Sequence, residues 1–215
     1  MTPEEVDATI RKKFRVKKRD TLPLTGWLPS TRKHLAELYR ELGYKVGAEI
    51  GVQRGHHART LCRSVPDLKL FCVDPWGPYN KQTQEKSDRI YEHCLSRLER
   101  FKNVEFMKMT SMEAVKLIPD RSLDFVYIDG LHEFDPVIMD IVHWSPKVRI
   151  GGIVSGHDYY CFYQGGVMPA VNAYTLAHRI NDWYITTDEK FPSWFWVQKE
   201  EYQQGYAVPK YGEKI

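Results

Sequence analysis

Apolar and polar positions along this chain follow two different periods. From residue 45 onward, short apolar runs of strand length recur: "KVGAEIG" (45–51), "KLFCVD" (69–74), "VEFMKM" (104–109), "LDFVYID" (123–129) and "RIGGIVSGHD" (149–158). Between them the apolar residues fall at helical spacing. Ala58, Leu61, Cys62 and Val65 make one face, Ile90, Cys94, Leu98 and Phe101 a second, and Phe134, Val137, Ile138 and Ile141 a third, with a short helix over "SMEAVKLI". An earlier helix is predicted from Leu35, Leu38, Tyr39 and Leu42, with Ser30 as its N-cap and Gly43 as its stop. Short apolar strands separated by helices predict a parallel sheet covered on both faces. The runs "YITT" (184–187) and "SWFWVQK" (193–199) predict a closing pair that includes one antiparallel strand.

The first thirty residues break this pattern. "RKKFRVKKRD" (11–20) is dense in Lys and Arg, behind a weakly amphipathic stretch carrying Val6, Ile10 and Phe14. The expected organisation is a basic N-terminal arm and loop over 1–30 and a single domain over 31–215. The arm reads as a solvated face or, alternatively, as a phosphate-contacting segment for RNA or another acidic partner. "LPLTG" (22–26) matches a sortase pattern, but its place near the N-terminus makes it a loop.

Composition narrows the class. With 215 residues, 42% hydrophobic and 27% charged, the chain has the profile of a soluble globular domain able to bury a full core. A net charge of +3 is too small to argue for nucleic-acid binding by itself. Cys62, Cys72, Cys94 and Cys161 form no CxxC pair, as expected of reduced, buried thiols in the cytoplasm. No apolar run approaches membrane-spanning length.

Acidic residues recur where the strands end: Glu49, Asp74, Asp129 and Asp158. In an open α/β sheet that edge carries the ligand cleft. The turn "EIGVQRGHHART" (49–60) lacks the GxxxxGK[ST] of a P-loop, and its glycines, Gly47, Gly51 and Gly55, lack the GxGxxG of a dinucleotide site. Asp74, some 20 residues beyond the turn, stands where a ribose-binding carboxylate is expected. The ligand is therefore expected to carry a ribose without requiring a pyrophosphate.

"EIGVQRG" resembles the E/DxGxxxG motif of class I S-adenosylmethionine (SAM) dependent methyltransferases. "TSMEAV" (110–115), "YIDGLHEFD" and "GGIVSGHDYY" are similar to later motifs of their small-molecule O-methyltransferase branch, which includes catechol, macrocin and cephalosporin-hydroxylase-like proteins. The resemblance spans about residues 45–199 and implies a Rossmann-like, doubly wound α/β fold: a mostly parallel seven-stranded sheet with one antiparallel strand near the C-terminus. It implies SAM as cofactor, with Glu49, Gly51 and Gly55 at its amino-acid end, Asp74 on the ribose, Ser111 near the adenine, and Asp129 bordering the site. Trp76 either lies against the adenine or packs the "PWGPY" loop.

Metal-dependent members of that branch use an Asp after the fourth strand and a pair after the fifth, usually Asp or Glu followed by Asp or Asn. Here these positions hold Asp129 and His157–Asp158. A His in the pair departs from the pattern and suits manganese, iron or zinc better than magnesium. His132 stands where the catechol enzyme has a Lys that removes the acceptor proton, so His132 as a neutral imidazole base and Asp158 are the implied catalytic residues. His56 and His57 are expected at the surface or the substrate rim. The reading is methyl transfer to a hydroxyl of a small molecule or sugar, divalent metal left open. RNA methylation through the basic arm, and a non-catalytic SAM- or nucleoside-binding protein, are the alternatives. An aromatic loop, Tyr159, Tyr160, Phe162 and Tyr163, is a candidate wall for the acceptor. No membrane partner is expected, and the sequence leaves the oligomeric state open.

Overall fold

A computed structural model describes residues 1–16, 22–25, 30–79, 82–161 and 165–200. Its helices are α1 (Pro3–Phe14), α2 (Arg32–Glu41), α3 (His56–Ser64), α4 (Gln84–Leu98), α5 (Ser111–Ala114), α6 (Phe134–Trp144) and α7 (Val167–Ala177). Its strands are β1 (Leu24–Thr25), β2 (Val46–Ile50), β3 (Lys69–Val73), β4 (Val104–Met107), β5 (Leu123–Ile128), β6 (Val148–Gly156), β7 (Trp183–Ile185) and β8 (Trp194–Val197).

The strands form one sheet in the order β1-β7-β8-β6-β5-β2-β3-β4. The seven expected strands are all present, and the two-residue β1 adds an eighth at the edge, parallel to β7. β8 runs antiparallel to both its neighbours, and the other pairings are parallel. Consecutive strands β2, β3 and β4 step one way, while β5 and β6 lie on the other side of β2. The strand order therefore reverses between β2 and β5, and a crevice opens at their C-terminal ends.

The pleat sorts side chains into two cores. Phe125 and Tyr127 of β5 join α1, α2, α3 and α4 on one face, while Val126 and Ile128 join α6 and α7 on the other. This is why the central strands read as continuous apolar runs with no polar alternation.

The expected arm is only partly an arm. Thr2 caps α1 through a capping box with Glu5, and Pro3 opens the helix. Val6, Ile10 and Phe14 are buried in the first core. Arg11 bridges Asp7 and Asp182 at 2.6 Å each, and the Tyr184 hydroxyl donates to Asp7. Lys17, Lys18 and Arg19 lie outside the described residues. The N-cap of α2 is Thr31, one residue beyond the expected Ser30, because the Thr31 hydroxyl reaches the Lys33 N–H. Ser30 instead accepts from Thr187 and Asp188, which ties this turn to the end of β7.

Candidate active site at the strand ends

The turn after β2 is shaped by glycine. Gly51 has φ +86°, and a Cβ there would sit 2.0 Å from the Asp129 carbonyl oxygen. The backbone of the turn thus passes hard against the exit of β5, drawing the Glu49 and Asp129 ends together. Gly55, at φ +71°, is the N-cap of α3 and has no side chain over the first turn of that helix. The free N–H groups of that turn favour an anionic ligand group.

Glu49 is 2% exposed, and its Oε2 has no hydrogen-bond partner. Burial, then the nearby Asp129, push its carboxyl well above the usual range, against the opposing pull of Arg32. A buried carboxylate without a partner is costly, so this group calls for a cationic one. Asp74 ends β3 with Oδ2 accepting from the Gln53 N–H at 2.9 Å and Oδ1 from the Trp76 N–H at 2.7 Å. The two backbone donors fix its plane and leave lone pairs for further donors. Burial raises its carboxyl in spite of both bonds.

Trp76 does not face the crevice. It is 2% exposed, its ring centroid is 4.5 Å from that of Tyr91, and its indole N–H donates to the Gln53 carbonyl at 2.8 Å. The adenine contact considered for it gives way to the packing role. Ser111 opens α5 near the end of β4, but its hydroxyl is engaged: it donates to Asp140 and accepts from the Trp144 indole at 2.8 Å. The Ser111 hydroxyl thus has its proton committed and one acceptor lone pair left for a ligand donor.

On the far side of the switch point two carboxylates and two imidazoles converge. His132 Nε2 lies 3.0 Å from Asp158 Oδ2 and 3.9 Å from Asp129 Oδ1. His157 Nδ1 approaches the same two oxygens, at 3.2 and 3.8 Å. Asp158 has φ +59°, a left-handed conformation for a non-glycine residue at the end of a strand. Burial alone would raise its carboxyl, but hydrogen bonds with His132 and His157 outweigh burial and lower it. Hydrogen bonds to Asp129 and Asp158 push His132 up to about 10, in the direction opposite to the neutral imidazole expected of a base.

Asp129, His132 and Asp158 offer ligand atoms all within 4.8 Å of one another, so the donor set fits a divalent ion. The group that could hold an ion is thus Asp129, Asp158 and His132; the expected ligand His157 is not part of it, although its Nδ1 lies 3.2 Å from Asp158 Oδ2 and 3.8 Å from Asp129 Oδ1. A small pocket beside them is lined by Ile128, Leu131, Val137, Val167 and Trp194.

Two residues of this region had no signal in the motifs. Arg32, the first residue of α2, puts its guanidinium 3.7 Å from Asp129 Oδ2 and 3.9 Å from Glu189, whose carboxylate also accepts from the Arg32 N–H. His57 was expected at the rim and is buried at 6% exposure, its ring 4.1 Å from that of Tyr127 and both ring nitrogens without partners. Burial, then Arg32, hold it well below the usual imidazole range. Its position four residues before Leu61, on the apolar stripe, was the available sign. His56 is exposed.

The aromatic loop also divides. Tyr159 is buried, with its hydroxyl donating to Asn172 at 2.8 Å, whereas Tyr160 is exposed. Phe162 and Tyr163 lie outside the described residues. Cys161 is exposed, unlike the buried thiol expected there, and all four cysteines are free. Among the described residues no helix is long and apolar enough to cross a membrane.

Several solved structures share this fold. The O-methyltransferase TomG from Streptomyces achromogenes, in complex with SAM, is 17% identical, with 92% of this chain and 99% of that chain covered at a TM-score of 0.59. An O-methyltransferase from Bacillus cereus, in complex with S-adenosylhomocysteine (SAH), is 14% identical over 92% of each chain at 0.57. The N-methyltransferase NodS from Bradyrhizobium japonicum is 14% identical over 79% of this chain and 95% of that one at 0.55. Identities this low speak for the fold alone. An uncharacterised protein, y4gI, of Sinorhizobium fredii is 27% identical over 115 residues, a stretch that is 51% of this chain and 12% of that protein. The family described as "Methyltransferase domain" matches residues 48–159, from the middle of β2 to just past Asp158. That match takes in more than half of the sequence and both ends of the crevice, and the chain belongs to the methyltransferase-domain family.

Proposed function

We propose that this protein binds SAM and transfers its methyl group to a hydroxyl of a small molecule. The observation that carries the reading is Glu49, a buried carboxylate with an unpartnered oxygen, beside the glycine turn and the open first turn of α3. SAM brings an ammonium to such a carboxylate, a carboxylate to the helix N-terminus, and a ribose diol to Asp74. No phosphate is required, in keeping with the missing phosphate-binding lysine. The SAM and SAH held by the two O-methyltransferases above support the same assignment.

The transfer is a direct displacement at the methyl carbon. An acceptor oxygen aligned opposite the sulfonium attacks the methyl carbon, the C–S bond breaks, SAH leaves, and the hydroxyl proton departs to solvent by way of the Asp129 and Asp158 carboxylates. Alignment and proximity supply most of the acceleration. Asp129 and Asp158, at the ends of adjacent strands β5 and β6, orient the hydroxyl. The Asp158–His132 pair fixes the charge around it. A divalent ion held by Asp129, Asp158 and His132 would lower the pKa of that hydroxyl when bound.

Calorimetric titration with SAM, SAH and NAD tests the reading. SAM and SAH should bind, and Asp74→Ala should weaken both at least tenfold. Tight NAD binding without SAM binding overturns it. The small-molecule acceptor is preferred to RNA because Arg11 and Lys13 of the basic stretch are engaged with Asp182 and Glu41.

A further inference from the structure

We infer that Asp140 reads the base of the cofactor: its Oδ2 accepts a hydrogen bond from the exocyclic 6-amino group of the adenine, which lies over the bare Cα of Gly130. This rests on the SAM reading above and adds to it the residue that recognises the base.

Asp140 comes from the middle of α6, yet it touches the exits of two strands. Its Oδ1 accepts from the Ser111 hydroxyl at the start of α5, beyond the end of β4. Its Oδ2 is the atom nearest to the place of a Cβ on Gly130, at 3.6 Å, and Gly130 lies just beyond β5. In the sheet, β2 and β3 lie between β5 and β4. Asp140 thus joins the two segments that flank the ends of β2 and β3, where Glu49 and Asp74 stand. β4 is the neighbour of β3, so a base borne by a ribose on Asp74 meets this joint as it extends past the end of β3.

Two observations point to a ligand there. The first is the second carboxylate oxygen. Oδ1 already ties α6 to α5, but among the described residues Oδ2 has no hydrogen-bond partner. Asp140 is 6% exposed, and its Oδ2 is not sealed in as Glu49 Oε2 is, so it opens onto space. The second is Gly130. Gly51 has to be glycine, because a Cβ would strike a carbonyl oxygen at 2.0 Å. Gly130 has no positive φ, and a Cβ there would meet only Asp140 Oδ2 at 3.6 Å and Ile50 Cγ2 at 4.0 Å, which are ordinary contacts. Neither backbone shape nor packing asks for glycine at this position. The missing side chain leaves a shelf between an apolar methyl group and a carboxylate oxygen, which suits a flat ring with a polar edge.

The direction of the hydrogen bonds selects the group on that edge. The Trp144 indole only donates, and it donates to Ser111 at 2.8 Å. The Ser111 proton therefore goes to Asp140. Both side chains turn acceptors outward: Oδ2 of Asp140 and the remaining lone pair of Ser111. Burial raises Asp140 to about 6, which leaves it ionised at pH 8. Two acceptors welcome an amino group and refuse a carbonyl oxygen, so the site takes adenine and rejects hypoxanthine.

The test is calorimetric titration of the full-length protein at pH 8 with SAH and with S-inosylhomocysteine, the same molecule with a carbonyl in place of the 6-amino group. SAH should bind roughly 50-fold or more tightly than the inosine form. In Asp140→Asn, whose amide can donate to a carbonyl, that ratio should fall below about fivefold. A purely structural role for Asp140 would weaken both ligands and leave the ratio as it was. Gly130→Ala, which no contact of the chain forbids, should keep its melting temperature and weaken both ligands at least tenfold with the ratio unchanged, so the shelf is tested without relying on Asp140→Asn to fold. Equal affinity of the unaltered protein for the two ligands, a ratio in Asp140→Asn as high as in the unaltered protein, or unchanged affinities in Gly130→Ala overturns the inference, while SAH binding in the same samples leaves the methyl-transfer reading standing. No binding of SAH by the unaltered protein overturns both.

Discussion

Burial without a partner marks the residues that matter most at the site. Glu49 sits in the interior with its Oε2 unpartnered, and the pull of Arg32 does not offset its desolvation. Glu49→Gln should leave thermal stability equal or higher and weaken SAM at least tenfold by calorimetry. Unchanged SAM affinity would remove Glu49 from the cofactor site. Asp140 shows the opposite case, a buried carboxyl on α6 with a donor, Ser111. Burial, only partly countered by that hydrogen bond, raises it from 3.8 to about 6. A carboxyl raised on folding favours the folded state below its unfolded pKa, and that contribution is lost as pH climbs through the folded value. A shift of about two units corresponds to about 3 kcal/mol. Urea unfolding should therefore show a contribution from Asp140 that is full below about pH 4 and gone above about pH 6. In Asp140→Asn that part of the pH dependence should disappear.

At the scale of elements, α1 changes the meaning of the basic N-terminus. A helix whose Val6, Ile10 and Phe14 are buried is part of the fold, and its charges are partly spent on Asp182 and Glu41. Ile10→Ala should cost roughly 2–4 kcal/mol of unfolding free energy, measured by denaturant titration. A change below 0.5 kcal/mol, about the size of a surface substitution, would mean that α1 is not docked in solution. Deleting the whole arm to look for lost RNA binding would confound binding with folding, so charge-reversal at single lysines is the cleaner design. The turn after β2 behaves as a unit with β5. Gly51→Ala forces a methyl group onto the Asp129 carbonyl and a strained φ together. It should destabilise by more than 3 kcal/mol and abolish SAM binding.

For the whole molecule, ligand linkage gives the broadest check. SAH at 100 times its dissociation constant should add about 2.7 kcal/mol of stability. For a chain of this length that is roughly 5–10 °C in melting temperature. NAD at the same concentration should produce no shift.

The sequence by itself determined the layered architecture, because strand period, helix period and chain order are local properties. Apolar runs too short for helices, separated by amphipathic ones, admit few other solutions than a covered parallel sheet. It also placed Glu49, Asp74, Asp129 and Asp158 at the strand ends, since a strand that ends in a carboxylate is readable within six residues. Tertiary structure decided which of these groups meet. Arg32 reaches Asp129 across 97 positions of chain, and no local pattern encodes that contact. Trp76 and His57 were ambiguous for the same reason: burial is set by what packs over a side chain, and Tyr91 and Tyr127 lie elsewhere in the sequence. The role of His132 shifted most. Its offset from Asp129 suggested a base, but its protonation and partners depend on Asp158, which belongs to another strand. Charges separated along the chain interact only once folding has brought them together and excluded the water between them.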